Sequence, residues 1–132
     1  MHHQATKICF MVDDDIDDQE IFLIALDEIE ENVKCVFAND GFEALQKLHG
    51  DPFFEPDYIF LDLNMPRMNG KQCLAELKKI NRLSSIPIII YSTSSDRKFI
   101  NETNQLGATA YFTKPSSITE LAKKLAEFLK LY

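Results

Sequence analysis

Three carboxylates stand where hydrophobic runs stop. Asp13 and Asp14 follow Ile8-Cys9-Phe10-Met11-Val12, and Asp62 follows Tyr58-Ile59-Phe60-Leu61. Two later runs end on different chemistry, with Ser92 after residues 86–91 and Lys114 after residues 110–113. Carboxylates brought close together repel, and each raises the pKa of the others unless a cation neutralises them. An oxygen-rich site that keeps some waters suits Mg²⁺. Carboxylates, a divalent cation, a hydroxyl and an ammonium are together what binding a phosphoryl group requires. The cation and the ammonium neutralise phosphoryl oxygens, and the hydroxyl donates to a third. A carboxylate in line with phosphorus can also act as nucleophile and form an acyl phosphate. Asp15, Asp17 and Asp18 read differently, as caps or favourable charges at the positive N-terminal end of a helix.

None of this chemistry exists unless the runs lie side by side with their ends together. Five short apolar runs (8–12, 33–38, 58–61, 86–91 and 110–113) each precede a helix-like segment. Continuous apolar runs of that length fit parallel strands buried on both faces. Phe22, Ala25, Leu26 and Ile29 share one helical face. Asn39 and Asp40 are good caps for a helix carrying Phe42, Leu45 and Leu48. A helix after Asn69-Gly70 puts Cys73, Leu77 and Ile80 on one face. Pro87 is tolerable at a strand entry. A weakly amphipathic helix stops at Gly107. The last helix, from about Ser117, buries Ile118, Leu121, Ala122, Leu125, Phe128 and Leu129. Alternation of this kind predicts the α/β class, with helices on both faces of a parallel sheet. Five units fit a flavodoxin-like, doubly wound (βα)5 three-layer sandwich with strand order 2-1-3-4-5, whose ligands bind at the carboxyl ends of the strands.

The 132 residues suit one domain, 1–132, large enough for one core. The chain stops where the fifth helix stops, so no output domain is expected. A formal net charge of -7 argues against charge-driven binding to nucleic acid or to an anionic membrane. No run approaches the length of a membrane span, and Met1-His2-His3-Gln4 lacks the pattern of a signal peptide. Cys9, Cys35 and Cys73 form no C-x-x-C pair and read as small buried hydrophobes in a reducing, cytoplasmic setting. Phe53 and Phe54, between Pro52 and Pro56, are expected to pack over the sheet edge rather than form a partner-binding patch.

The motifs in order are Val12-Asp13-Asp14-Asp15, then Phe60-Leu61-Asp62-Leu63-Asn64-Met65-Pro66-Arg67-Met68-Asn69-Gly70, then Ile86-Pro87 with Ser92, then Tyr111-Phe112-Thr113-Lys114-Pro115. Together they resemble the receivers of bacterial response regulators (the CheY-like family) over almost the whole chain. The Asp-Leu-Asn-Met-Pro…Gly segment combined with Lys-Pro carries most of that resemblance.

The resemblance implies roles. Asp62 matches the phosphoacceptor. Asp14 matches the carboxylate that binds Mg²⁺ directly, Asp13 its neighbour, and Asn64 the position that offers a backbone carbonyl to the metal. Ser92 matches the switch hydroxyl, Lys114 the phosphate-pairing ammonium, and Tyr111 the aromatic that rotates inward on activation. The Lys114-Pro115 bond is expected to be cis, as in relatives. Attacking water in dephosphorylation is expected to pass Asn64 and Ser94. The implied donor is a sensor histidine kinase or a phosphotransfer protein. The implied output is the surface of the fourth and fifth helices, as a monomer or a phosphorylation-dependent dimer. Binding a target protein directly and relaying phosphate to another histidine both remain open. A phosphohydrolase of the haloacid-dehalogenase type also uses a nucleophilic Asp with Mg²⁺, but it needs a second Asp where Asn64 stands. A degenerate receiver that only binds partners is the other alternative.

Overall fold

The computed structural model describes residues 6–29, 32–65 and 67–131. Met1-His2-His3-Gln4 and Pro66 lie outside the described residues. Five strands, β1 (Lys7–Val12), β2 (Val33–Ala38), β3 (Tyr58–Leu61), β4 (Ile88–Ser92) and β5 (Ala110–Thr113), alternate with five helices. These are α1 (Ile16–Asp27), α2 (Gly41–Gly50), α3 (Gly70–Lys78), α4 (Arg97–Gln105) and α5 (Ile118–Leu131). All strand pairs are parallel, in the order β2-β1-β3-β4-β5. The predicted doubly wound sandwich is the observed one.

Alternate residues of each strand enter opposite cores, because side chains along a strand point to opposite faces. Cys9, Met11, Tyr58, Phe60, Ile89 and Tyr91 meet α1 and α5 through Phe22, Leu26, Leu121, Leu125 and Phe128. Phe10, Val12, Ile59, Leu61, Ile88 and Ile90 meet the other side through Ala44, Leu48, Cys73, Leu74 and Leu77 of α2 and α3. Each such side chain contributes about 1.5–3 kcal/mol on burial. An exposed ion pair such as Lys79–Glu76 contributes about 0–1 kcal/mol, so the two cores hold the sheet. The last helix buries Leu121, Ala122, Leu125, Phe128 and Leu129 as its periodicity predicts, and Ile118 packs beside them.

Several local expectations shift. The fourth strand starts at Ile88 rather than Ile86. Pro87 has no N–H to give a neighbour, and its carbonyl instead accepts from Ile59 N at 3.0 Å. Ser92, expected just beyond the strand, is its last residue and pairs with Thr113. A short 3-10 turn, Asn81–Leu83, follows α3. Phe42 is not a core residue: it stays 46% exposed, and Ala44 with Leu48 seals α2 instead. The two aromatics between Pro52 and Pro56 divide. Phe54 packs edge-on against Phe10, while Phe53 is 91% exposed. No cis peptide bond occurs among the described residues, so Lys114-Pro115 is trans, not cis. Trans is the intrinsically preferred isomer by about 0.5–1 kcal/mol. Cys9 and Cys73 are buried and Cys35 is half-buried, all as free thiols. Among the described residues, no helix is long and apolar enough to cross a membrane.

Gly70 begins α3 with its backbone close against Asp62 and Leu63. A Cβ there would lie 2.4 Å from the Asp62 carbonyl oxygen and 2.6 Å from Leu63 Cα. Gly70→Ala is expected to destabilise the protein by about 1–3 kcal/mol, the usual cost of overpacking. Urea unfolding followed by circular dichroism measures it.

Candidate functional site

The four strand ends carrying the predicted residues converge at one edge of the sheet. Backbone hydrogen bonds extend the ladder one residue past the strands and so fix those residues. Asp13 N donates to Ala38 O at 3.1 Å, Asp62 N to Val12 O at 2.9 Å, and Lys114 N to Ser92 O at 2.7 Å. Asp13, Asp14 and Asp62 each offer a carboxylate oxygen, and these oxygens lie within 4.8 Å of one another. Asp13 and Asp62 are buried and Asp14 is exposed. The set fits a hard divalent cation: it is all oxygen, and Asp14 opens it to water that could complete the coordination. Asn64 is exposed on the loop beyond Asp62, and its N–H points back to Asp62 Oδ1 at 3.4 Å.

Lys114 reaches into this group from the end of β5. Its ammonium donates to Asp18 Oδ2 at 2.7 Å and to Asp13 Oδ2 at 3.0 Å. It stands 3.7 Å from Asp62 Oδ1, beyond ordinary hydrogen-bond reach, and 5.1 Å from the centre of the Tyr91 ring. Ser92 is fully buried, and its Oγ accepts from Ser94 N at 3.2 Å. Tyr111 is half-buried, with its hydroxyl donating to Ser94 O at 2.6 Å. Ser92, Ser94 and Tyr111 thus form one hydrogen-bonded segment at the ends of β4 and β5.

Burial, and one ammonium shared among several carboxylates, set the electrostatics. Burial pushes the Asp62 carboxyl up to about 7; Asp13 and Asp14 push the same way, and Lys114 and the Asn64 N–H oppose them. Burial likewise raises Asp13, with Asp18 adding to it, against the Asp15 N–H and Lys114. Burial works against the charge on Lys114, yet its hydrogen bond to Asp18 and the charges of Asp13 and Asp62 raise its pKa above the usual lysine value. The ammonium is therefore permanent, and the surplus negative charge resides on the Asp pair.

Two residues take parts that the sequence reading did not assign. Asp15 caps α1 as expected, accepting from Asp17 N and Asp18 N. Asp18, grouped with it as a helix-start charge, instead turns into the site and makes the shortest bond to Lys114. Arg67 holds a left-handed conformation, φ 65°, in the loop after Asp62. That conformation is costly for a residue with a Cβ. Its guanidinium bonds the Asp40 carboxylate at the start of α2 and lies 5.1 Å over the Phe42 ring. These contacts offset the cost.

Because Asp62 has a higher pKa folded than its ordinary 3.8, it stabilises the metal-free fold below about pH 4, and that contribution is lost as pH rises through about 7. Asp13 has the same sign. The melting temperature of the metal-free protein is expected to fall between about pH 5 and pH 8, and Asp62→Asn to flatten that slope. Differential scanning fluorimetry across that range, with a chelator present, measures it. An unchanged slope in Asp62→Asn would contradict the electrostatic assignment.

Comparison with known proteins agrees with the geometry. The family model described as "Response regulator receiver domain" matches residues 9–126. Sporulation initiation phosphotransferase F of Bacillus subtilis is 30% identical over 118 residues, covering 88% of this chain and 91% of that protein. The crystal structure of the phosphorylated cyanobacterial phytochrome response regulator RcpA superposes with a TM-score of 0.86 at 30% identity, covering 97% of this chain and 94% of that one. The Mn²⁺-bound form of response regulator Rcp1 gives 0.81 at 25% identity, covering 92% and 91%. A buried carboxylate group at the strand ends of a 2-1-3-4-5 sheet and a family match over nearly the whole chain lead to one conclusion: this chain belongs to the receiver-domain family of response regulators, the modules of phosphorylation-based two-component signalling.

Proposed function

We propose that the chain is a phosphoacceptor in a two-component phosphorelay, taking a phosphoryl group on Asp62 in a Mg²⁺-dependent transfer. The supporting observation is the convergence of Asp13, Asp14 and Asp62 beside the Lys114 ammonium. The phosphorylated and Mn²⁺-bound relatives support the two halves of the reading, the chemistry and the ion. Asp13, Asp14, Asp62 and the Asn64 carbonyl would hold Mg²⁺, which neutralises charge on the transferring phosphoryl oxygens. The donor is a sensor histidine kinase or a phosphotransfer protein carrying a phosphohistidine. An Asp62 oxygen attacks phosphorus, the phosphorus–nitrogen bond breaks, and the imidazole leaves with the bonding pair.

The product carries anionic oxygens between Lys114 and Ser92. Lys114 turns toward one of them, and the Ser92 hydroxyl donates to another, drawing in the loop through Ser94. Tyr111 then gives up the Ser94 carbonyl and rotates inward. These moves bias the surface made by α4, β5 and α5 toward a target protein. Moving a population from mostly off to mostly on takes about 5.5 kcal/mol of differential binding. A few charge-assisted hydrogen bonds, each about 1.5–3 kcal/mol, are enough. The helix that would move is lightly anchored: Thr103 is the one buried residue of α4. Water that hydrolyses the aspartyl phosphate passes the exposed Asn64 and the half-buried Ser94. A cytoplasmic location goes with this reading, since reducing conditions keep the three cysteines as thiols.

Incubation with acetyl phosphate and Mg²⁺ is expected to add one acid-labile phosphate, seen by intact-protein mass spectrometry. Asp62→Asn and removal of Mg²⁺ by chelation should each abolish the gain. Uptake by Asp62→Asn at the same site would overturn the assignment.

A further inference from the structure

We infer that Asp18 is a positioning residue that holds Lys114 in the unphosphorylated protein and is displaced by the phosphoryl group. The inference rests on the reading of Asp62 as the phosphoacceptor and extends it to a residue outside the strand-end set. An ammonium has three donors. In this structure one goes to Asp18 Oδ2 at 2.7 Å and one to Asp13 Oδ2 at 3.0 Å, while Asp62 Oδ1 lies at 3.7 Å. Lys114 is thus drawn to the α1 side of the site and short of a bond to Asp62. A phosphoryl group on Asp62 brings new anionic oxygens, and to meet them squarely Lys114 must release one of its two partners.

Exposure decides which partner gives way. The Asp13 side chain is fully buried, so no water can take the place of the ammonium at its Oδ2, and losing it is costly. The Asp18 side chain is 27% exposed and can exchange the ammonium for water at little cost. Asp18 also sits in the first turn of α1, where backbone N–H groups favour a negative charge with or without Lys114. The same helix carries Asp15, whose carboxylate accepts from Asp18 N at 3.3 Å and fixes the backbone there. Asp18 is therefore held in place while Lys114 comes and goes. Every interaction it makes with Lys114 in the unmodified state opposes the phosphorylated one, so Asp18 sets how readily phosphorylation carries the switch over.

The test is the affinity of the full chain for beryllofluoride, an acyl-phosphate mimic, at saturating Mg²⁺. Amide shifts in ¹H–¹⁵N spectra report both binding and fold. Asp18→Asn removes the charge at constant shape, and Asp18→Ala removes the side chain. Both are expected to bind the mimic more tightly, roughly fivefold, within the coupling energies usual for contacting residues. Asp17→Asn makes the same change in net charge one residue away, without a bond to Lys114, and should stay within about twofold of the unmodified chain. Unchanged or weaker binding by the Asp18 variants would overturn the inference, as would an equal gain from Asp17→Asn. If the unmodified chain bound no mimic at all, the phosphoacceptor reading itself would fail, and the Asp18 inference with it.

Discussion

One ammonium is shared among the carboxylates at the strand ends of this molecule. Lys114 bonds Asp13 and Asp18 and stands beside Asp62, and its own pKa is raised by those three carboxylates against the effect of burial. A single positive charge cannot neutralise that group, and Asp14 adds to the excess at the open side. Burial raises the Asp62 carboxyl and this shortfall adds to it, and the shortfall explains the fit to a divalent cation.

The fold supplies what this charge arrangement cannot supply for itself. Two hydrophobic cores fix the sheet, and backbone hydrogen bonds beyond the strand ends hold Asp13, Asp62 and Lys114 against their mutual repulsion. Gly70 lets α3 begin against the Asp62 backbone. Arg67, bound to Asp40 and stacked over Phe42, ties down the loop between them. On the other side, Ser92, Ser94 and Tyr111 are joined by two hydrogen bonds, and α4 buries little. The side that carries the carboxylates is packed against both cores, while α4 contributes little burial.

Most of this was legible in the sequence because it depends on periodicity and on residues at the ends of apolar runs. The strand order, the two-sided burial and the convergence of Asp13, Asp14, Asp62, Ser92 and Lys114 all follow from those patterns. What escaped depends on side-chain geometry. Asp18 lies among five aspartates within six residues, and nothing in their identity says which one bends inward. Arg67 stands where a left-handed backbone would suggest glycine, and its compensation by Asp40 is a contact across 27 residues. Pro87 displaced the fourth strand by removing a donor, and Phe53 stayed in solvent while its neighbour Phe54 took the available place against Phe10. These are outcomes of packing competition, which a run of residue types does not encode.

The central claim is that surplus charge on Asp62 and its neighbours is what a divalent cation relieves. Calorimetric titration with Mg²⁺ in buffers of different ionisation enthalpy counts the protons released on binding. With Asp62 titrating at about 7, binding near that pH should expel a substantial fraction of a proton, and the release should fall above about pH 8.5 and in Asp62→Asn. Binding with no proton release near pH 7, or with the same release in Asp62→Asn, would contradict the account.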